Sequence, residues 1–320
     1  MALVLLTGAS SFSGLWIAEA LAGAGHTVVA PLRRRLEDYG GIRLDRVRRL
    51  QAVAEVAFGH AFDTPAFLDL VSSRRWDALA HHGADIPGYR EADYDVVAGV
   101  SRNAGGAREV LSRLAAGNGQ AVVIATGTTF EAGEGMSDPD DLAISPYGLS
   151  KGLTNQVWRH LARWQGLRFG KFVVAAPFGP WEEGRFAWSL FQSWLAGEPA
   201  LVRTPRYVRD NLPAPLLGIA YVRLLHDLMT GEAAEIVARP SGFVGGQGDF
   251  ARKLAAEARP RLGRACEVTE AAQPELREPY LRVNTDPVRD QTWDARAFWD
   301  AYVDYYVALD ARGLLAASPP

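Results

Sequence analysis

Along the first half of the chain, short apolar runs alternate with longer stretches of helical spacing. Runs at 3–6, 27–32, 53–58, 78–82, 121–125 and 169–175 are β-branched or fully apolar and four to seven residues long, as buried strands are. Between them Ile17, Leu21 and Ala24 keep a helical period, as do Val110, Leu111 and Leu114. Strand, helix, strand repetition predicts right-handed crossovers and a parallel sheet covered on both faces, an α/β doubly wound (Rossmann) fold. After about residue 176 the pattern changes to segments rich in Pro, Gly, Trp and Arg: "APFGPWEEGRF", "VRTPRYVRDNLPAP", "RPSGFVGGQGDF" and "REPYLRVNTDP". Helical stretches at 216–229, 250–258 and 295–309 interrupt them. The division expected is a first domain over 1–175 that also receives about 207–240, and a smaller, loop-rich C-terminal domain from 176–206 and 241–320. Its loops would close over the carboxyl edge of the sheet, where doubly wound folds bind ligands.

The 320 residues, 48% hydrophobic and 10% aromatic, suffice for one large or two moderate cores. A net charge of -3 leaves no footprint for nucleic acid or an anionic membrane, so the partners expected are small molecules or protein. The basic residues are almost all arginine; Lys151, Lys171 and Lys253 are the only lysines. A single Cys266 excludes a disulfide framework and a cysteine-rich metal site and fits a reducing compartment. With a strand starting near Leu3 and no run long enough to span a membrane, a cytoplasmic location is expected, with no membrane partner.

"TGASSFSG", Thr7 to Gly14, joins the first strand to the first helix. Gly8 permits a tight turn and Gly14 a close approach of the helix, so backbone amides and the helix's positive end face the loop and suit a pyrophosphate. Gly8, Ser10, Ser11, Phe12 and Gly14 are the candidate residues, with the two serines as added hydroxyl donors to phosphate oxygens. At the end of the second strand, where an acid would bind the ribose 2'-hydroxyl of NAD, stand Leu32 and then Arg33, Arg34 and Arg35. That is charge suited to a 2'-phosphate, with Arg43 a further contributor; the alternative is a solvated arginine face. The cofactor expected is therefore NADP(H) in preference to NAD.

"SPYGLSK" sets Tyr147 and Lys151 four apart at a helix start, on one face. A lysine there stabilises a tyrosinate and fits the phenol for proton transfer with a substrate oxygen. Together with "NAGG" (103–106) opening a helix and "ATGTTFE" ending the fifth strand, these motifs resemble the extended short-chain dehydrogenase/reductase family. The likeness runs nearly end to end and is to the sugar-nucleotide epimerase, dehydratase and reductase branch, whose Arg-Asp pair, Gly-rich nucleotide loop and second phosphate-binding Arg are matched by "YVRDNL", "FVGGQG" and "RVNTD".

The resemblance implies Tyr147 as acid/base, Lys151 as its activator and ribose ligand, and Thr126 as the hydroxyl that polarises the substrate oxygen. It adds His60, Gly83 and Pro177 to the cofactor contacts and gives Thr128, Arg185, Arg209 and Arg282 to the substrate, the last two as clamps on a diphosphate; structural salt bridges are the alternative for those arginines. Ser11 departs from the family by replacing the usual middle glycine, His60 by standing where an Asp meets adenine, and Ala176 by replacing an Asn. His81 and His82 are expected to end the fourth strand beside the cofactor, without a metal, and Trp181, Trp188 and Trp194 to be core or domain-contact residues, with a base-stacking platform the alternative. Thr126 is followed by Gly127 and Thr128 where the dehydratases carry an acidic pair, and Glu131 lies five residues on. The activity expected is NADP(H)-dependent reduction of a keto group on a nucleotide-linked 4-keto-6-deoxy sugar. Alternatives are an NAD-dependent 4-epimerase, a reductase of aldehydes or phenolic ketones, and a non-catalytic dinucleotide sensor. The oligomeric state stays open, with a homodimer one option.

Overall fold

The computed structural model describes residues 1–84, 88, 91, 93–136, 142–275 and 278–315. Its first part runs β1 (Leu3–Thr7), α1 (Phe12–Gly23), β2 (Thr27–Leu32), α2 (Gly41–Gln51), β3 (Glu55–Phe58), α3 (Pro65–Ser72), β4 (Ala78–His81), α4 (Val96–Ala104), α5 (Ala107–Gly117), β5 (Val122–Thr128), α6 (Pro146–Trp164) and β6 (Arg168–Val174). The second part runs β7 (Ala176–Phe178), α7 (Phe186–Leu195), β8 (Ala200–Val202), β9 (Val208–Pro213), α8 (Ala214–Thr230), β10 (Glu235–Ala238), β11 (Pro240–Ser241), β12 (Phe243–Gly246), α9 (Gln247–Leu262), β13 (Val268–Glu270), β14 (Leu281–Arg282), β15 (Asp286–Pro287) and α10 (Ala295–Ala311).

Seven parallel strands form the main sheet in the order β10-β6-β5-β4-β1-β2-β3, the doubly wound fold expected from the repetition of strand and helix. The order reverses between β1 and β4, so their carboxyl ends flank a crevice. Both faces are covered, and β5 shows why its sequence is continuously apolar. Val122 and Ile124 enter a core with Leu15, Ile17 and Leu21 of α1 and Leu217, Tyr221 and Leu224 of α8. Val123 and Ala125 enter the opposite core, with Phe67, Val110, Leu111 and Trp158 from α3, α5 and α6.

Three departures from the sequence reading bear on the site. β5 continues to Thr128, so Thr126 and Thr128 lie inside a strand and not on the loop after it. The polar segment 41–51 forms α2, whose Ile42, Val47 and Leu50 are buried alongside Arg46. The span 207–240 is shared: α8 covers the main sheet and β10 is its edge strand, but β9 pairs with β7, β12 and β14 in a separate small sheet. "FVGGQG" is correspondingly no open loop. It is β12 followed by the first turn of α9, whose Gln247 and Gly248 amides donate to the carbonyls of Tyr207 and Pro205.

α7, α9 and α10 enclose a second, aromatic core that includes Trp188, Phe191, Trp194, Phe250, Tyr302 and Tyr306. Trp181 is half-buried and touches both this core and that of α1 and α8. Among the described residues no helix is long and apolar enough to cross a membrane.

Candidate functional site

The loop between β1 and α1 is built by backbone contact. Gly8 has φ +72°, and a Cβ there would lie 2.6 Å from the Gly83 nitrogen, so only glycine lets β1 and the end of β4 meet. The Gly83 amide donates to Thr7 Oγ1 at 3.0 Å and completes that junction. Gly14 is equally constrained, since its missing Cβ would strike the Gly8 carbonyl and Ser11 Oγ. What remains open is a cradle at the N-terminus of a twelve-residue helix, the geometry that receives a pyrophosphate.

Ser11 does not serve as the donor expected of it. Its only hydroxyl proton goes to the Gly8 carbonyl at 2.8 Å, while its oxygen accepts from the Gly14 amide at 3.1 Å. It is the cap of α1 and fixes the loop's shape. Ser10 Oγ accepts from Arg43 at 3.2 Å and its carbonyl from the buried Arg46 at 3.1 Å, so α2 holds the loop from the side. Phe12 is buried, and the Arg185 guanidinium lies 5.0 Å from its ring centre, which places Arg185 beside the phosphate loop.

Beyond β2, Arg33 and Arg34 are exposed and, among the described residues, neither pairs with a carboxylate. Burial holds the Arg43 pKa below its ordinary value, Tyr39 opposes that, and the charges of Arg34 and Arg33 lower it further, so three guanidinium groups crowd one corner. His60 stands at the same corner, its amide donating to the Leu32 carbonyl at 3.0 Å and its Nδ1 2.9 Å from the Phe58 carbonyl.

At the centre of the sheet edge, β5 presents Thr126 and α6 presents Tyr147 and Lys151. Ser145 starts that helix, its hydroxyl accepting from the Gly148 amide at 3.1 Å, with Pro146 in the first turn. The Tyr147 ring stands edge-on to Tyr94 at 6.0 Å and to Phe130 at 6.3 Å. Lys151 is buried; desolvation lowers its pKa, the Glu131 charge opposes this and Lys171 adds to it.

The two histidines after β4 have separate partners. His81 lies 3.2 Å from Thr7 Oγ1 and stacks on Trp158 at 4.3 Å. His82 bridges two hydroxyls, with Nδ1 2.9 Å from Thr126 Oγ1 and Nε2 2.9 Å from Ser13 Oγ. Burial, then the charge of Lys151, pulls the pKa of each down to about 3. The bridge was not foreseen from the sequence, where the only signal was a second histidine at the end of β4.

Glu131 is committed elsewhere. It accepts from the Thr128 amide at 2.8 Å and Asn155 at 2.9 Å and pairs with Lys171 at 2.7 Å. Lys171 also meets Glu134, which in turn pairs with Arg239. Gly127 makes room for this cluster, since a Cβ there would come within 2.8 Å of both Glu131 and Lys171.

Arg209 is nearly fully buried and donates to the carbonyls of Val208, Pro279 and Tyr280 and to Glu278 at 2.9 Å. Arg282 lies 4.0 Å over the Phe130 ring and 3.5 Å from the same carboxylate. The two arginines thus converge on Glu278, and Phe130 links Arg282 to Tyr147. Asp210 binds backbone, accepting from the amides of Gly242 and Asn284. Thr128 Oγ1 accepts from the Phe130 amide at 3.4 Å, and Pro177 is buried in β7 opposite Leu212.

Comparison with known proteins fits this geometry. No curated protein sequence matches the chain. Among solved structures it is similar to the UDP-glucuronic acid 4-epimerase of Bacillus cereus in complex with UDP-glucuronic acid and NAD (TM-score 0.68, 17% identity, covering 96% of this chain and 99% of that one). It is also similar to the UDP-Glc/GlcNAc 4-epimerase of Campylobacter jejuni (TM-score 0.70, 13% identity, 96% and 100% covered) and the UDP-glucose 4-epimerase of Thermotoga maritima with UDP-glucose (0.67, 18%, 96% and 99%). At such identities the likeness is one of fold. Residues 4–211 match the sequence pattern of the NAD dependent epimerase/dehydratase family. The chain belongs to that family, within the sugar-nucleotide branch of the extended short-chain dehydrogenases/reductases.

Proposed function

We propose that the chain reduces a keto group on a nucleotide-linked 4-keto-6-deoxy sugar with NADPH. The observation that carries this reading is the composition of the sheet edge: β5 carries Thr126, the start of α6 carries Tyr147 and Lys151, and the nearby carboxylate Glu131 is tied up. The nicotinamide, when bound, supplies the hydride. Gly8, Gly14 and the first amides of α1 would hold its pyrophosphate, Lys151 its ribose, and Arg33, Arg34 and Arg43 a 2'-phosphate.

Thr126 donates to the carbonyl oxygen and Tyr147 protonates the alkoxide that forms, each acting only if within hydrogen-bond reach of that oxygen. Elimination of water needs a carboxylate base at the neighbouring carbon, and Glu131 is held by Lys171, Asn155 and the Thr128 amide instead. An exchangeable, phosphate-selected cofactor favours net reduction. The second reading, an NAD-dependent 4-epimerase, is favoured by the similar solved structures, several of which are 4-epimerases and most of which are complexes with NAD.

The test incubates the protein with stoichiometric NADPH and a panel of nucleotide-linked 4-keto-6-deoxy sugars while following absorbance of the reduced cofactor. Consumption that disappears in Tyr147→Phe is expected. Sugar isomerised without net consumption, by protein carrying tightly bound NAD, would establish the epimerase reading.

A further inference from the structure

His82 has no role in the reading above, yet it occupies the position from which the orientation of Thr126 is set. The Thr126 hydroxyl is buried on β5, with His82 Nδ1 2.9 Å away. The far ring nitrogen is held in turn by Ser13 Oγ at 2.9 Å, on the first turn of α1. The imidazole is thus pinned at both ends, between the strand that carries the candidate hydroxyl and the helix that carries the phosphate cradle.

A threonine hydroxyl has one proton and two lone pairs, so the ring's tautomer decides what is left for the substrate. With the proton on Nε2, the ring donates to Ser13 and Nδ1 draws the Thr126 proton toward itself, leaving only lone pairs for a carbonyl oxygen, which cannot use them. With the proton on Nδ1, the ring donates to Thr126, Ser13 donates to Nε2, and the Thr126 proton is free to point at the carbonyl. We propose that His82 is the positioning residue for Thr126, holding it in this second arrangement so that its proton faces the substrate oxygen. The inference rests on the reductive reading for its purpose, not for its geometry.

Neutrality of the ring is a condition of the arrangement, because an imidazolium would donate at both nitrogens and release the Ser13 proton. Desolvation and the facing charge of Lys151 on α6 keep His82 neutral at any physiological pH.

Two experiments together test the proposal. In protein labelled with 15N-histidine, the His82 resonance, assigned by its loss in His82→Asn, is expected to show a neutral ring protonated at Nδ1 from pH 6 to 8, and to shift in Thr126→Val. A ring protonated at Nε2, or one indifferent to Thr126→Val, overturns the proposal, and neither result depends on knowing a substrate. With a keto sugar that the wild type reduces, His82→Leu is expected to lower kcat roughly 10- to 100-fold with KM changed less than about threefold. His82→Asn, whose amide can donate near the place of Nδ1, should recover most of that loss. Added to Thr126→Val, the His82→Leu change should cost nothing further, as expected of residues acting as a unit. Equal losses in the two backgrounds would show that His82 acts independently of Thr126. If the wild type reduces no such sugar, the functional reading fails while the tautomer still decides the role of His82.

Discussion

Arginines gather at two places on the carboxyl edge of this fold, and the protein treats them in opposite ways. At the end of β2, Arg33 and Arg34 are exposed, crowd Arg43 and have no carboxylate partner among the described residues. Across the crevice, Arg209 and Arg282 converge on Glu278, and Arg209 is further satisfied by three carbonyls. Like charges kept together without compensation raise the affinity for an anion that arrives later. Charges already satisfied must surrender a partner first, so the same residue type makes a preformed site in one half and a self-occupied one in the other.

Arg46 belongs to both halves, and its removal should have the largest effect. It is buried on α2 and donates to the Ser10 carbonyl in the cradle, the Trp181 carbonyl at 2.9 Å and Glu183 at 3.3 Å in the second half. Arg46→Ala leaves two carbonyls and a carboxylate without their donor and should lower unfolding free energy by about 2 to 4 kcal/mol. Arg33→Ala, on the surface, should stay within about 0.5 kcal/mol of wild type. Guanidinium denaturation of the two variants measures the contrast; equal stabilities would deny the strut.

The uncompensated cluster is sharpened by cofactor titration. Replacing Arg33 or Arg34 with Ala should weaken NADPH roughly 10- to 100-fold and leave NADH within about threefold, as a charge-assisted contact to the 2'-phosphate requires. Parallel losses for both cofactors would mean that the cluster only solvates the surface. For the compensated pair the sign reverses. Glu278→Gln removes the negative charge that Arg209 and Arg282 share and should tighten UDP, used as a diphosphate probe, by about three- to tenfold without altering NADPH affinity. Weaker UDP binding would mean instead that Glu278 orders the arginines for their ligand.

How much of this could be read beforehand follows the reach of each interaction. The main sheet was legible because its strands are buried on both faces, and the residues around Thr126, Tyr147 and Lys151 because local order in the chain carries them. α2 was missed because Arg43, Arg46, Arg48 and Arg49 dilute the apolar stripe of Ile42, Val47 and Leu50. The His82 bridge joins residues 44 and 69 positions apart, and the pairing of Arg209 depends on where 278–280 folds back, so no spacing rule could reveal either. Ser11 was placed correctly in the loop but given the wrong use, since the chain does not state where a hydroxyl spends its one proton.

The smallest effect concerns a carboxylate buried beside the aromatic second core, held by tyrosines where Glu131 at the main sheet is held by a lysine. Glu182 is fully buried; one oxygen accepts from Tyr302 and Tyr306 at 2.5 Å each, and among the described residues none comes within full hydrogen-bond geometry of the other. Burial raises its pKa, while the two tyrosine hydrogen bonds, the Arg185 charge and the Gly179 amide oppose the rise. The native state therefore holds this proton more tightly than the unfolded chain. The resulting stability is fully present below the ordinary carboxylate pKa and is lost as pH rises through the raised one. Glu182→Gln keeps an oxygen for both tyrosines and removes the ionisation, but it sets an amide NH2 where the second oxygen lay, at a cost that does not vary with pH. The informative quantity is thus the slope and not the offset. Between pH 5 and pH 8 the variant should gain stability on wild type, as the stability tied to the raised pKa is lost from the wild type alone. Guanidinium unfolding at pH 5, 6.5 and 8 measures it, and a gap that stays constant across the three would mean that Glu182 titrates in the fold as it does in the unfolded chain.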